Sequence, residues 1–245
     1  MARTIKTLEQ FIHATNSVSW AEDLWQCVLA YFKAQGIDLV IYHHLPPLGA
    51  ADEGKTRIAA GGVPLSWLRP YVREKLYRVD PIPIFALRIE SPFFWSDIYE
   101  KAKLEAHQKA FLKRFEEQNL GEGLAVQVFG PGGRNGYFGL GIKGERPSRD
   151  KISEYQCVCN IGHQRYCENV RSRLPTPPPL SVRELQILEW VARGKSNSVI
   201  ADIMGISIHT VDAYLRRVFL KLGTTDRITA AIRGMGTGLI TGHIA

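Results

Sequence analysis

Residues 180–223 read LSVRELQILEWVARGKSNSVIADIMGISIHTVDAYLRRVFLKLG, and this stretch carries helix start and stop signals in close succession. Ser181 and Glu184 are spaced as a capping box, in which the hydroxyl and the carboxylate each bind a backbone N–H at the start of a helix. Gly194 stands where the first helix would end in a left-handed conformation. The pattern predicts one helix after Ser181 and two more at residues 197–203 and 208–222.

The second and third helices are joined by a short turn, Met204-Gly205-Ile206, which makes the pair a helix-turn-helix. Apolar residues at helical spacing predict the buried face of the third helix: Val211, Leu215, Val218 and Leu222. The opposite face is narrow and polar, and comprises His209, Asp212, Ala213, Arg216 and Arg217. Outward charges alone also fit an ordinary solvated surface. The caps, turn and helix together favour DNA binding in the major groove.

Arg216 is the predicted base-reading residue, because its guanidinium matches the two acceptors of guanine. Asp212 lies one helical turn earlier. It could accept from a cytosine amino group, but we expect it to pair with Arg216 and orient it. Contacts to the DNA backbone are expected from Arg217, Lys221, Ser207 and Thr210.

This stretch resembles the LuxR-type helix-turn-helix. The run Leu180-Ser181-Val182-Arg183-Glu184 matches the opening of that family's module. Further matches are Leu188, Gly194, the pair Thr210-Val211 and the ending Lys221-Leu222-Gly223. The resemblance implies an all-α, four-helix DNA-binding domain in which Glu184, Leu188 and Gly194 are structural positions.

The composition of the whole chain is that of a globular protein. Of its 245 residues, 45% are apolar and 22% charged, which allows one large domain or two modest ones. The formal net charge of +7 suits phosphate contacts without requiring them. The sequence shows no apolar run of the roughly 20 residues that a membrane helix needs and no signal-peptide core, and four cysteines are not a disulfide framework. We therefore expect a cytoplasmic protein.

A proline-rich segment divides the chain. Pro175, Pro177, Pro178 and Pro179 predict a stiff linker. We therefore expect a first domain at residues 1–170, a linker at 171–179 and a DNA-binding domain at 180–245.

Helices and strands are both predicted in the first domain. Helical spacing predicts helices within residues 1–35, from Pro64 to an interruption at Asp80-Pro81, at 104–118 and from Ser148 to about 173. Strands are predicted at residues 37–45, 57–60, 124–129 and 136–142. A glycine-rich turn between the last two predicts an antiparallel hairpin, so the expected fold is a layered α+β structure.

Trp67, Tyr71, Asp80 and Trp95 form the most informative cluster of the first domain. Trp67 and Tyr71 are four residues apart and share a helix face. Spacing alone fits either an aromatic core with a turn aspartate or a small-molecule pocket. In a pocket, the Trp67 indole would donate to a carbonyl and the Asp80 carboxylate would accept an amide N–H.

These residues are also similar to the signature of the autoinducer-binding domain of LuxR-type regulators. The matching positions are Trp67, Tyr71, Asp80-Pro81, Trp95 and Gly123. The resemblance implies an α/β/α sandwich with a central antiparallel sheet that encloses an N-acyl-homoserine lactone. It also implies that Trp67 binds the lactone carbonyl, Asp80 binds the amide N–H, Tyr71 and Trp95 wall the pocket, and Gly123 is structural.

The sequence departs from the family pattern at two ligand-binding positions. Val63 stands where the family usually has a tyrosine that binds the acyl carbonyl, and Gly139 stands where it often has serine or threonine. Another group could replace these donors, or the acyl part could be bulkier, branched or aromatic, with Val63, Gly139 and Gly141 making room. Because Trp67 and Asp80 are both present, we favour retained lactone recognition.

Neither a metal nor a cofactor is expected. His43 and His44 are adjacent on a predicted strand and point to opposite faces, and Cys157 and Cys159 lie on different sides of a predicted helix. The sequence shows no nucleophile arrangement that indicates an enzyme. The only small molecule expected is a signal ligand.

These features predict a ligand-controlled transcription factor that acts as a homodimer at a palindromic DNA site, with RNA polymerase as a further partner. A related regulator with a non-standard signal is the nearest alternative. A phosphorylation-controlled response regulator would need an acidic pair after an early strand, whereas Glu22-Asp23 lie in a predicted helix. An enzyme acting on the same lactone would need a nucleophile or a metal set.

Overall fold

The computed structural model describes residues 5–55, 57–89, 91–176 and 179–240. It divides the chain into two compact units, Met1–Leu45 with Thr56–Ser172, and Pro46–Lys55 with Arg173–Ala245. The segment Pro46–Lys55 therefore groups with the second unit, which no sequence signal indicates. Pro177 and Pro178 of the expected linker lie outside the described residues.

The first unit is built on a five-stranded sheet in which every neighbouring pair is antiparallel. Its strands are β1 (Val40–Leu45), β2 (Arg57–Gly61), β3 (Phe93–Phe94), β4 (Glu122–Phe129) and β5 (Asn135–Ile142). Their spatial order is β2-β1-β5-β4-β3, and β4 and β5 form the predicted hairpin. The register pairs Gly139 with Ala125, which brings these two short-side-chain positions together near the middle of the sheet.

Helices cover both faces of this sheet. They are α1 (Leu8–Asn16), α2 (Ala21–Ala34), α3 (Leu65–Arg73), α4 (Pro81–Ala86), α5 (Ile98–Lys101), α6 (Ala106–Glu116) and α7 (Arg149–Arg171). α1, α2 and α7 bury one apolar core against the sheet. α3 to α6 bury a second core, rich in aromatic residues, on the opposite face. The predicted α/β/α sandwich is confirmed.

The helix predicted from Pro64 to Asp80 is broken in the structure. α3 ends at Arg73, and Lys75 takes a left-handed conformation with a φ of 55°. After a short 3-10 turn, the Asp80 carboxylate caps α4 by accepting from the backbone N–H of Ile82. Asp80-Pro81 thus begins a helix, because aspartate suits the N-cap and proline suits the first helical position.

The second unit is helical, as predicted. Its described residues form α8 (Val182–Ala192), α9 (Asn197–Met204), α10 (Ile208–Leu222) and α11 (Arg227–Gly236). The capping box of Ser181 and Glu184 is present, and Gly205 and Gly223 end α9 and α10 with positive φ. The inner face of α10 is buried at the four predicted positions. Across the described part of the chain, no helix combines the length and the apolar character that a membrane span requires.

Candidate functional site

A small chamber lies in the first unit between the sheet and α3. Its walls are mainly apolar, and its polar members are His43, Trp67, Tyr71, Asp80, Trp95 and Tyr137. The four residues singled out in the sequence cluster are therefore brought together. The chamber volume is about 30 Å³, room for a water or two and far below the roughly 300–1,000 Å³ of small-molecule pockets. A ligand would have to move the walls outward.

Asp80 is the charged group of the chamber and is fixed by two hydrogen bonds. The Tyr71 hydroxyl donates to Oδ2 at 2.7 Å, and the Ile82 backbone N–H donates to Oδ1 at 2.9 Å. Burial raises the pKa of Asp80 to about 6, and the hydrogen bonds from Tyr71 and Ile82 oppose that rise. Above that pH the group is a carboxylate with lone pairs to spare for a further donor.

Trp67 supplies a hydrogen-bond donor to the chamber. Its ring lies 6.0 Å from that of Tyr71 and 5.8 Å from that of Phe115, so α3 and α6 hold it between them. Its side chain is buried, yet its indole N–H has no hydrogen-bond partner among the described residues. An uncommitted N–H on a buried indole can donate to a ligand oxygen, which then replaces the water that the donor would otherwise bind.

Trp95 and Tyr137 are joined by a hydrogen bond, and two glycines leave the space that these side chains occupy. The Trp95 indole N–H donates to the Tyr137 hydroxyl at 3.0 Å. A Cβ at Gly123 on β4 would lie 2.2 Å from the Trp95 ring, and a Cβ at Gly139 on β5 would lie 2.5 Å from the Tyr137 hydroxyl oxygen. We call Trp95, Gly123, Tyr137 and Gly139 the indole–phenol group. Any larger side chain at either glycine would displace an aromatic ring of the chamber wall.

The alternative in which glycines make room for a bulkier acyl group finds no support at two positions, because the space over both is filled in this structure. Tyr137 occupies the space over Gly139, and a Cβ at Gly141 would lie only 2.8 Å from the Cβ of Leu39. Side chains lean along a strand, so a residue two positions away can fill such a gap. Val63 is half-buried and does line the chamber.

Two chamber residues, His43 and Tyr137, carry no signal in the sequence that marks them as site residues. Burial lowers the pKa of His43 to about 4, so this imidazole is neutral at physiological pH. Its ring lies 5.8 Å from that of Tyr71 and 5.7 Å from that of Tyr137. Strand alternation predicts that His43 and Tyr137 each face one side of the sheet, but the sequence does not tell which side carries the chamber.

A larger groove adjoins the chamber. Its volume is about 410 Å³, and it is lined by polar residues such as Ser96, Glu116 and Asn119 as well as apolar ones. Ile82, Trp95 and Phe115 line both the groove and the chamber, and therefore form the partition between them. Movement of one of these side chains would join the two spaces.

A buried polar cluster lies on the opposite face of the sheet. His44, His163 and Cys167 each place one potential metal-binding atom within 4.8 Å of the others. The sequence does not predict this group, because the three residues are brought together only by the fold. The two ring nitrogens of His163 form hydrogen bonds with the Tyr42 hydroxyl at 2.8 Å and the Arg134 carbonyl at 2.9 Å. The Arg134 guanidinium approaches His44 Nε2 at 3.3 Å. The hydrogen bonds of this network and the positive charge of the Arg134 guanidinium account for the burial of these polar side chains.

The predicted DNA-reading face of α10 is presented outward. His209, Arg216 and Arg217 are exposed, and Asp212 and Ala213 are half-buried. Arg216 forms no hydrogen bond, ion pair or ring contact with the described residues. The Arg217 guanidinium packs 4.5 Å from the ring centroid of Tyr214. At the start of α10, the Ser207 hydroxyl accepts from the Thr210 backbone N–H at 3.1 Å.

Two expectations for α10 require correction. Asp212 accepts a hydrogen bond from the Asn197 side chain at 2.7 Å instead of pairing with Arg216, because the start of α9 lies beside this turn of α10. Lys221 forms an ion pair with the buried Glu184 carboxylate at 2.7 Å and also donates to the Pro179 carbonyl. Lys221 therefore stabilises the helical unit, whereas a contact with phosphate would require it to leave Glu184.

Two family models match the chain. One, described as the autoinducer binding domain, matches residues 21–166. The other, described as bacterial regulatory proteins of the luxR family, matches residues 178–233. Together they span the chamber and the helix-turn-helix.

Curated relatives and a solved structure agree with these matches. The HTH-type transcriptional regulator y4qH of Sinorhizobium fredii is 32% identical over 61% of this chain and 46% of its own length. The transcriptional activator AhyR of Aeromonas hydrophila is 29% identical over 72% of this chain and 71% of its own length. The crystal structure of Escherichia coli SdiA is similar with a TM-score of 0.72 at 18% identity, over 95% of this chain and 97% of that one. This last similarity concerns the fold alone.

Proposed function

The chain belongs to the LuxR family of quorum-sensing transcriptional regulators, with an autoinducer binding domain followed by a helix-turn-helix, and we propose from this that its signal is an N-acyl-homoserine lactone bound in the chamber of the first unit. The bound signal controls DNA binding by the second unit. The protein acts as a homodimer at a palindromic site and contacts RNA polymerase there.

One observation carries the ligand proposal: an uncommitted indole N–H and a buried carboxylate face the same chamber. The head-group of an N-acyl-homoserine lactone presents a ring carbonyl and an amide N–H. Trp67 donates to the ring carbonyl, and Asp80 accepts from the amide. Tyr71 holds the Asp80 carboxylate in place, and Trp95 forms the wall behind the ligand. The ring carbonyl and the amide N–H then each have a partner out of water.

The acyl group requires space that the chamber does not have. Outward movement of Trp95 or Phe115 would open the partition to the adjoining groove, whose volume of about 410 Å³ accommodates an acyl chain. We propose that the signal enters with its head-group at Asp80 and its acyl group towards this partition. Ligand binding then moves the aromatic wall and stabilises the first unit.

DNA recognition is assigned to the exposed face of α10. Arg216 reads a base edge, because it is exposed and its guanidinium is uncommitted. Arg217, Ser207 and Thr210 contact the DNA backbone, and His209 and Ala213 lie against the groove between them.

Thermal unfolding of the purified full chain tests the ligand assignment. The ligand panel is N-hexanoyl-, N-isovaleryl- and N-cinnamoyl-homoserine lactone. At a hundredfold excess over Kd, a bound signal stabilises the protein by about 2.7 kcal/mol and raises the Tm by several degrees. Trp67→Phe and Asp80→Asn should weaken this effect. Tyr42→Phe is the matched control, because its hydroxyl lies on the opposite face of the sheet.

The proposal fails if no panel member stabilises the native chain, or if both head-group variants bind as tightly as the native protein. The bound ligand is also recovered and weighed by mass spectrometry. If the protein is a regulator, the lactone is recovered intact, whereas recovery of a cleaved product would indicate an enzyme.

A second candidate signal is an acylated glycerol. One similar structure is that of SdiA in complex with octanoyl-rac-glycerol. Such a ligand has an ester carbonyl for Trp67 and, in place of an amide N–H, glycerol hydroxyls that can donate to Asp80. Octanoyl-rac-glycerol is therefore added to the panel, and greater stabilisation of the native chain by it than by any of the lactones would favour this candidate.

A further inference from the structure

Tyr137 lines the chamber with a hydroxyl that accepts a hydrogen bond but, among the described residues, does not donate one. The side chain is 3% exposed, and its oxygen accepts from the Trp95 indole N–H at 3.0 Å. Its own proton has no acceptor among the described residues. Because a buried hydroxyl that does not donate loses a hydrogen bond it would make in water, this proton favours an acceptor on a ligand.

The donors and acceptors of the chamber match those of the proposed signal. An N-acyl-homoserine lactone head-group carries two carbonyl acceptors and one N–H donor. With the Trp67 indole on the ring carbonyl and the Asp80 carboxylate on the amide N–H, the acyl carbonyl still lacks a donor. The Tyr137 hydroxyl faces the same chamber as Trp67 and Asp80 and supplies one.

The position of this hydroxyl is set by the indole–phenol group. The Trp95 indole N–H fixes the oxygen from one side. Gly139 leaves the space that the hydroxyl fills, because a Cβ there would come within 2.5 Å of it. A donor can therefore reach this part of the chamber from position 137 or from position 139, but not from both.

We infer, on the basis of the proposed function, that Tyr137 donates to the acyl carbonyl of the signal and thereby replaces the donors that Val63 and Gly139 do not supply. Tyr137 then discriminates in favour of signals that present a carbonyl group directly bonded to the N–H group, as an N-acyl amide does. His43 also lines the chamber, but among the described residues only ring contacts hold it in place.

Calorimetric binding of N-hexanoyl-, N-isovaleryl- and N-cinnamoyl-homoserine lactone to the full chain tests this assignment. Tyr137→Phe should weaken binding by about ten- to a hundredfold. The thioamide counterpart of each lactone keeps the N–H but offers sulfur, a weaker acceptor. The native protein should prefer the oxygen form, and Tyr137→Phe should lose most of that preference.

Controls separate folding from recognition. Tyr42→Phe removes a buried tyrosine hydroxyl from the opposite face of the sheet and should bind as the native chain does. If Tyr137→Phe does not fold, the double variant Tyr137→Ala, Gly139→Ser places a hydroxyl in the vacated space, and it should bind at least tenfold more tightly than Tyr137→Ala alone.

The outcomes are distinguishable. If the native chain binds none of the three lactones, the proposed function fails and this assignment with it. If the native chain binds one of them and Tyr137→Phe keeps both its affinity and its preference for the oxygen form, only this assignment fails. A loss in His43→Phe without one in Tyr137→Phe would transfer the donor role to His43.

Discussion

At the scale of single residues, Asp80 serves ligand binding at some cost to the stability of the ligand-free fold. Its pKa is raised from 3.8 to about 6 by burial, so the folded chain holds this proton more tightly than the unfolded chain does. The stability that protonated Asp80 contributes is therefore complete below pH 3.8 and is lost as the pH rises through about 6. The proposed amide contact needs the carboxylate, which forms over the same range.

Because the ligand-free fold favours protonated Asp80 whereas binding needs the carboxylate, the affinity for the signal should depend on pH. Affinity for an N-acyl-homoserine lactone should fall as the pH drops below about 6, because a protonated carboxyl is a weaker acceptor than a carboxylate. Asp80→Asn should bind more weakly and lose that dependence. Calorimetry from pH 5 to 8 measures both effects, and a native protein whose affinity is flat over this range would refute the amide contact.

A second residue-scale prediction concerns Gly123. Its Cβ would overlap the Trp95 ring at 2.2 Å, so Gly123→Ala should force the indole to move and destabilise the first unit by about 1–3 kcal/mol. Gly162→Ala is the matched control, because its Cβ would meet Val28 at an ordinary 3.4 Å within α7. Thermal unfolding by circular dichroism should show a lower Tm only for Gly123→Ala. Equal Tm values for the two variants would contradict this packing argument.

At the scale of elements, α8 and α10 are joined by an ion pair between the buried Glu184 carboxylate and the half-buried Lys221 ammonium. Burial would raise the pKa of Glu184, but hydrogen bonds from Lys221 and Ser181 outweigh it, and the pKa is lowered. Its stabilising effect is therefore present above the ordinary value of 4.5 and is lost as the pH falls through the lowered one. Glu184, which caps α8 together with Ser181, thus also binds α10 through Lys221.

Lys221→Met should leave Glu184 buried without its cation and destabilise the helical unit by about 1–3 kcal/mol at neutral pH. Hydrogen exchange of the α8 and α10 amides, read by mass spectrometry, reports on this unit alone. Lys195→Met removes an exposed lysine of the same unit and is the control. Unchanged protection of α8 in Lys221→Met would show that the ion pair contributes little.

The two arginines on α10 should differ in their effect on DNA recognition. A preferred DNA sequence is first selected from a random pool with the native protein. Arg216→Ala should then cost about 1–3 kcal/mol and relax specificity at one base pair, whereas Arg217→Ala should weaken binding to all sequences alike and reduce its salt dependence. Equal loss on preferred and random DNA in Arg216→Ala would assign that side chain to phosphate.

At the scale of the whole molecule, the sequence predicts what local signals encode. The ends of α10 follow from Ser207 and Gly223, since a cap is a property of a few neighbouring residues. The break after α3 is missed, because a lysine with positive φ has no sequence signature. Spacing places Trp67 and Tyr71 on one face, but the contacts of Tyr137 depend on strand order and on the direction in which a side chain leans. Both are decided by distant parts of the chain.

The indole–phenol group also restricts how this receptor could diversify. A change at one of its four positions leaves an aromatic ring without space or a donor without an acceptor, so the effects of substitutions there should be strongly non-additive. Libraries for a retuned biosensor would recover few functional clones from single changes at Trp95, Gly123, Tyr137 or Gly139. New selectivity would emerge from paired changes, above all at 137 with 139, where one hydroxyl is exchanged for another.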